Sequence, residues 1–212
     1  MISIALKKIG YFLIDGEAEG QNYYGFDQEW FRTRWQRLSG CGPTAVSNIL
    51  YYLGRSRSIP GLDRPVSRKE SPDFMEDIWR HVKPTAMGIP NTELLCKGVQ
   101  SYAKAKSLRI GTEPFEIPGF RCSRPDFGQL LLFLHSALSA DTPVAFLNLD
   151  CGEEKILDSW HWVTVVSLEY EADGNAAIAE ILDEGMKKEI DLNKWFRTTA
   201  KGGGLVRFHL SC

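Results

Sequence analysis

The sequence predicts an α+β fold in which helical segments come first and an antiparallel sheet follows. Between residues 46 and 138, apolar positions recur at three- and four-residue spacing in successive stretches. From residue 143 onward, short runs rich in β-branched and aromatic residues are separated by turn dipeptides, above all Asp173-Gly174. Runs of helices followed by runs of strands form segregated layers rather than alternating βαβ units.

Taken in order, residues 3–14 alternate as a strand does, and Asp15-Gly16 ends it as a turn. Residues 20–37 hold Tyr23, Tyr24, Phe26, Trp30, Phe31 and Trp35 and read as a packed approach to the core. Ser39-Gly40-Cys41-Gly42-Pro43-Thr44-Ala45 then opens a helix, with Val46, Ile49, Leu50 and Leu53 on its apolar face and Gly54 as its C-terminal cap. Residues 55–70 are polar, contain Pro60 and Pro65, and read as a loop. Ser71-Pro72-Asp73 starts a second helix with Phe74, Ile78 and Val82 on one face, and residues 84–90 form a second loop. Asn91 caps a third helix over residues 92–106, whose Glu93 comes early and whose Lys104 and Lys106 come late, as the helix dipole favours. Residues 108–117 are a short strand. Residues 126–138 are a fourth helix with Leu130, Leu131, Leu134 and Leu138 inward. Strands are expected at 143–149, 162–170, 176–182, 187–192 and 205–210. The expectation is one domain over residues 1–212, mainly helical in 1–140 and sheet-forming in 141–212.

Composition narrows the class. Of the 212 residues, 43% are hydrophobic and 25% charged, with net charge −2, so no basic excess suggests nucleic acid or a membrane surface as partner. The N-terminus lacks the continuous apolar core of a signal peptide, and no apolar run approaches the ~18 residues that span a bilayer. The cysteines Cys41, Cys96, Cys122, Cys151 and Cys212 are odd in number and widely spaced, with no CxxC pair or zinc-type cluster. A reducing, cytoplasmic setting is expected.

Cys41 stands apart from the other four. A helix start carries partial positive charge and unpaired N–H groups, which favour the nucleophilic thiolate. Pro43 is tolerated in the first turn, and Thr44 and Ala45 leave space above the sulfur. Such a nucleophile needs a base and an orienting group. His81 and His135 fall within helix patterns and His209 in the last strand, whereas His161 lies at the mouth of a strand between Trp160 and Trp162. The next strand ends in Asp183-Glu184. A tight turn centred on Asp173-Gly174 sets His161 opposite Met186 and Glu184 opposite Val163, so Glu184 shares the His161 side of the hairpin; one bulge exchanges it for Asp183. Spacing leaves both open. The backbone N–H of Cys41 is one donor for an oxyanion, and an upstream glutamine, Gln36 or the more distant Gln28, is the second.

Together, Gly40-Cys41-Gly42-Pro43-Thr44-Ala45, His161 at a strand start and Leu182-Asp183-x-Gly185 resemble the papain-like cysteine peptidases, and among them the stand-alone relatives of bacteriocin-processing, double-glycine-leader peptidases. The resemblance spans residues 36–192. It implies a papain-like fold with the nucleophile helix packed on the antiparallel sheet, Cys41 as nucleophile, His161 as base, Asp183 as its orienting carboxylate, and Gln36 as oxyanion donor, although the family places that glutamine six residues before the cysteine and here it is five. It implies hydrolysis of a peptide or amide bond in a peptide or protein substrate through a thioester, with no metal or organic cofactor. An acyltransferase using the same residues and an inactive papain-like binding module are the alternatives. No fused transporter domain is expected, and so no leader removal coupled to export.

Overall fold

The computed structural model describes residues 1–63 and 66–210; Pro65 and Cys212 lie outside the described residues. A seven-stranded antiparallel sheet runs in the order β4-β9-β5-β6-β7-β8, with β1 paired to β6 beside it. The strands are β1 (Ile2–Ala5), β4 (Ile110–Ile117), β5 (Val144–Asn148), β6 (His161–Tyr170), β7 (Ala177–Asp183), β8 (Met186–Asp191) and β9 (Gly203–Leu210). Two more, β2 (Leu13–Asp15) and β3 (Asn22–Tyr24), form a separate ribbon. The helices are α1 (Arg34–Ser39), α2 (Cys41–Arg57), α3 (Ser71–Trp79), α4 (Thr92–Ala105), α5 (Phe127–Ser139) and α6 (Leu192–Thr198).

The sheet is buried on both faces, and β5 shows it. Val144 and Phe146 pack with Leu130 and Leu134 of α5 and Trp195 of α6. Ala145 and Leu147 pack with Ile49 and Leu53 of α2 and Leu95 and Val99 of α4. Strands covered on both sides read as near-continuous apolar runs, as Val144–Asn148 does.

Several expectations need correction. Residues 3–14 are not one strand: a short 3-10 turn, Ile9–Phe12, separates β1 from β2. The sheet is not confined to residues 141–212, because β1 and β4 join it. The helix after Cys41 does not stop at Gly54. It runs on to Arg57, where Ser58 takes the left-handed conformation at φ 51°. Gly54 instead permits a close approach, since a Cβ there would lie 2.2 Å from the Leu62 carbonyl oxygen. The short helices α1 and α6 had no clear apolar period. Their starts are set by side-chain caps, Thr33 for α1 and Asp191 for α6. The aromatic stretch packs as expected: Phe26, Trp30 and Phe31 join Tyr51 and Met75 in a third buried cluster.

Candidate active site

Cys41 is the first residue of α2, directly after the Gly40 cap. Its helix is held in place along its length. Ser47, Ile49, Leu50, Tyr51 and Tyr52 are fully buried, and the Asn48 amide donates to Thr164 Oγ1 of β6 at 3.2 Å. The first turn of α2 therefore has a fixed position against the N-terminal end of β6, where His161 begins the strand.

Asp183 ends the neighbouring strand. His161 Nε2 lies 2.7 Å from Asp183 Oδ1. The Asp183 side chain is buried, at 7% exposure, and that of His161 is largely covered, at 13%. Since Nε2 is taken by Asp183, Nδ1 is the ring nitrogen left for Cys41. Burial acts to lower the His161 pKa, but hydrogen bonds to Asp183 and Cys41 outweigh it and raise it to about 10. Burial likewise acts to raise the Asp183 pKa, and hydrogen bonds from His161 and Lys188 bring it below the usual carboxylate value. The imidazole is thus a cation at neutral pH, between a carboxylate and a sulfur.

A narrow cleft joins Cys41, His161 and Asp183. Phe26, Gln28, Thr44, Asn48 and Glu184 also line it. Glu184 points to Lys188, 2.6 Å away, and stays half-exposed.

Gln36 is not in this cleft, which corrects the expectation for it. It is the third residue of α1 and closes a capping box: its Oε1 accepts from Thr33 N at 3.0 Å and from Thr33 Oγ1 at 2.8 Å. Its Nε2 donates to Glu76 Oε2 at 2.8 Å. These bonds use its acceptor and one donor on the α1–α3 side.

Gln28 reaches the cleft instead, from a 3-10 turn over Gln28–Trp30. Asn48 Oδ1 accepts from Phe26 N at 2.7 Å and so ties this loop to the nucleophile helix. The tie depends on Gly25, at φ 78°, where a Cβ would lie 2.5 Å from Asn48 Oδ1. Gln28 Oε1 and Thr44 Oγ1 are buried and have no hydrogen-bond partner among the described residues. Buried polar atoms ordinarily have one. An amide's orientation is assigned from its partners, and turning over that of Gln28 sends Nε2, a donor, to the same spot. No local pattern marks Gln28; its signal is the fold that returns the loop to Asn48.

Residues expected in loops pack near the cleft. Trp162 Nε1 donates to the Ile89 carbonyl at 2.7 Å, which draws the 84–90 loop to the start of α2. Trp160 has φ 60°, uncommon for a bulky side chain, and is 45% exposed with Lys201 Nζ 4.9 Å from its ring. The remaining histidines are elsewhere: His81 bonds Ser101, His135 bonds Tyr170, and His209 stands opposite Gly111 in β9. Among the described residues, no His, Cys, Asp and Glu cluster could hold a metal ion, and no helix is long and apolar enough to cross a membrane.

No family model and no curated protein matches the chain. Among solved structures, the crystal structure of UfSP from C. elegans aligns with a TM-score of 0.52 at 12% identity. The alignment covers 99% of this chain and 34% of that one, so the chain spans about a third of the length of UfSP. Helices packed on an antiparallel sheet, together with this likeness, give the chain an α+β fold of papain-like type.

Proposed function

We propose that the chain is a cysteine-nucleophile hydrolase that cleaves a peptide or amide bond through a thioester acyl-enzyme. The observation that carries this reading is the 2.7 Å His161–Asp183 contact in the cleft that also holds Cys41 at a helix start. The papain-like fold, shared with UfSP, supports it.

The steps follow from the geometry. His161 holds the Cys41 proton on Nδ1, leaving a thiolate facing the cleft. The sulfur attacks the substrate carbonyl carbon, and negative charge moves to its oxygen. The Cys41 N–H and the Gln28 side-chain N–H stabilise that oxygen. The imidazolium returns its proton to the leaving amine as the C–N bond breaks, which leaves a thioester and a neutral imidazole. Water then gives a proton to His161 and its oxygen to the acyl carbon, and the acid departs as the thiolate re-forms. Asp183 holds the Nε2–H throughout and stabilises the cationic form.

The resemblance to double-glycine-leader peptidases makes peptides that end in Gly-Gly before the scissile bond the first substrates to try. A fluorogenic peptide library including such sequences, incubated with the protein and with Cys41→Ala, tests the reading. We expect turnover that Cys41→Ala abolishes. Turnover that survives this substitution overturns it.

A further inference from the structure

Two adjacent carboxylates, Asp183 and Glu184, stand at the end of β7, yet only one meets the imidazole. Lys188 separates their roles. Asp183 is opposite Met186, and Lys188 lies two residues along the same strand, so its side chain emerges on the Asp183 side of the sheet. Its ammonium donates to Asp183 Oδ2 at 2.8 Å and to Glu184 Oε2 at 2.6 Å. Among the described residues, Lys188 and His161 are the cations that contact Asp183, each on a different oxygen. Lys188 is also the cation that contacts Glu184. Asp27, from the loop that carries Gln28, completes the surroundings. Burial first, and then the charges of Glu184, Glu29 and Asp183, raise its carboxyl above the usual range.

We propose that Lys188 is a positioning residue. It pins Asp183 Oδ2 so that Oδ1 meets His161 Nε2, and it holds Glu184 away from the imidazole. The proposal rests on the Cys41–His161 reading above. Its physical basis is charge and geometry together. Removing the ammonium leaves Asp183 and Glu184 without their shared cation and within the field of Asp27, and neighbouring like charges are relieved by binding a proton. It also frees Asp183 to rotate about its side-chain bonds and Glu184 to compete for the ring. Lys188 itself remains charged: burial acts against its charge, but hydrogen bonds to Asp183 and Glu184 raise its pKa above the usual lysine value.

The test needs no substrate. The rate at which iodoacetamide alkylates Cys41, followed by peptide mapping, is measured from pH 4 to 9 in the wild type, Lys188→Met, Lys188→Gln and Lys188→Arg. In the two neutral variants, we expect the acid limb of the rate profile to move up by about one pH unit, as Asp183 loses a group that keeps it ionised. The rate at pH 4 then falls about two- to fourfold, and the rate at pH 8 does not change. Lys188→Arg, which keeps two donors for two carboxylates, brings the limb back to within about 0.3 units. A purely structural role would lower the melting temperature and scale the rate equally at every pH. Acid limbs that coincide in the wild type and neutral variants, or an arginine variant no better than methionine, overturn the proposal. A wild-type Cys41 that reacts like a free model thiol at every pH overturns the Cys41–His161 reading, and this proposal with it.

Discussion

Thr164 stands opposite Leu182, and this pairing decides which carboxylate meets the histidine. Near the turn, Tyr170 faces Ala177 and Ser167 faces Glu180, the register that a tight turn at Asp173-Gly174 produces. Between Val165 and Ser167 the register shifts by one, so Val165 faces Ile181. The extra residue on β6 is Val166, which is buried and whose carbonyl accepts from Leu6 N at 3.1 Å. Because side chains alternate, the residue after Leu182 lies on the side of Val163 and His161. Asp183 occupies that place, and Glu184 turns out to Lys188.

The first prediction concerns those two carboxylates. Asp183→Asn is expected to lower kcat/KM by at least about 100-fold, because an amide neither balances the imidazolium nor holds the same tautomer. Glu184→Gln keeps the Lys188–Asp183 contact and is expected to change kcat/KM by less than about threefold. Steady-state kinetics on a peptide found in the library screen measures both. Equal losses would mean that the histidine does not distinguish them.

The two glutamines separate in a similar way. Gln28→Ala is expected to lower kcat by about 100-fold with little change in melting temperature, as the loss of an oxyanion donor does. Gln36→Ala removes the capping-box acceptor and the bond to Glu76, and is expected to cost about 1 kcal/mol of stability while kcat holds. Kinetics and denaturant melts on the same two variants would expose the opposite assignment.

Cys41 should be the first thiol labelled. At pH 7, iodoacetamide is expected to modify Cys41 about tenfold faster than the exposed Cys122, although Cys41 is the more buried. His161→Ala is expected to erase this advantage, as mass-spectrometric peptide mapping would show. Preferential labelling of Cys122 in the wild type would argue against an imidazolium partner.

Stability should carry the same signature. The folded His161 pKa of about 10 lies above its value in the unfolded chain, about 6.5. Its contribution is therefore full below pH ~6.5 and is lost as pH rises through about 10. Asp183 is lowered, so its contribution is present above the unfolded carboxylate pKa of ~3.9 and is lost as pH falls. The melting-temperature difference between the wild type and His161→Gln is expected to shrink from pH 7 to pH 10. A difference that stays constant over that range would show that His161 is not held as a cation.

Much of the fold was legible in the residues themselves. The helices starting at Thr92 and Phe127 and the strands β5 to β9 lie within a residue or two of their expected limits, while the helix starting at Ser71 ends at Trp79, before the expected Val82. There the apolar period matches the buried face, and Asn91 and Asp126 cap as their types predict. Where burial was shared between distant segments, the local signal failed. The apolar alternation of residues 3–14 belongs in part to a 3-10 turn whose Phe12 stacks on Tyr52. Gly54 resembled a cap because a glycine needed for close packing and one needed for a left-handed turn are the same letter.

The sequence by itself determined the chemical groups: a cysteine at a helix start, a histidine at one strand end and two carboxylates at the next. Each follows from local rules of capping, periodicity and turns. The tertiary structure decided which of these groups meet. A one-residue bulge at Val166 chose Asp183 over Glu184, and a loop tied to Asn48 brought Gln28 to the cleft while α1 held Gln36 in its own cap. Neither choice has a local signature. A bulge is set by how β6 packs on β1 and β7, and a side chain's partner across a cleft is set by elements far apart in the chain.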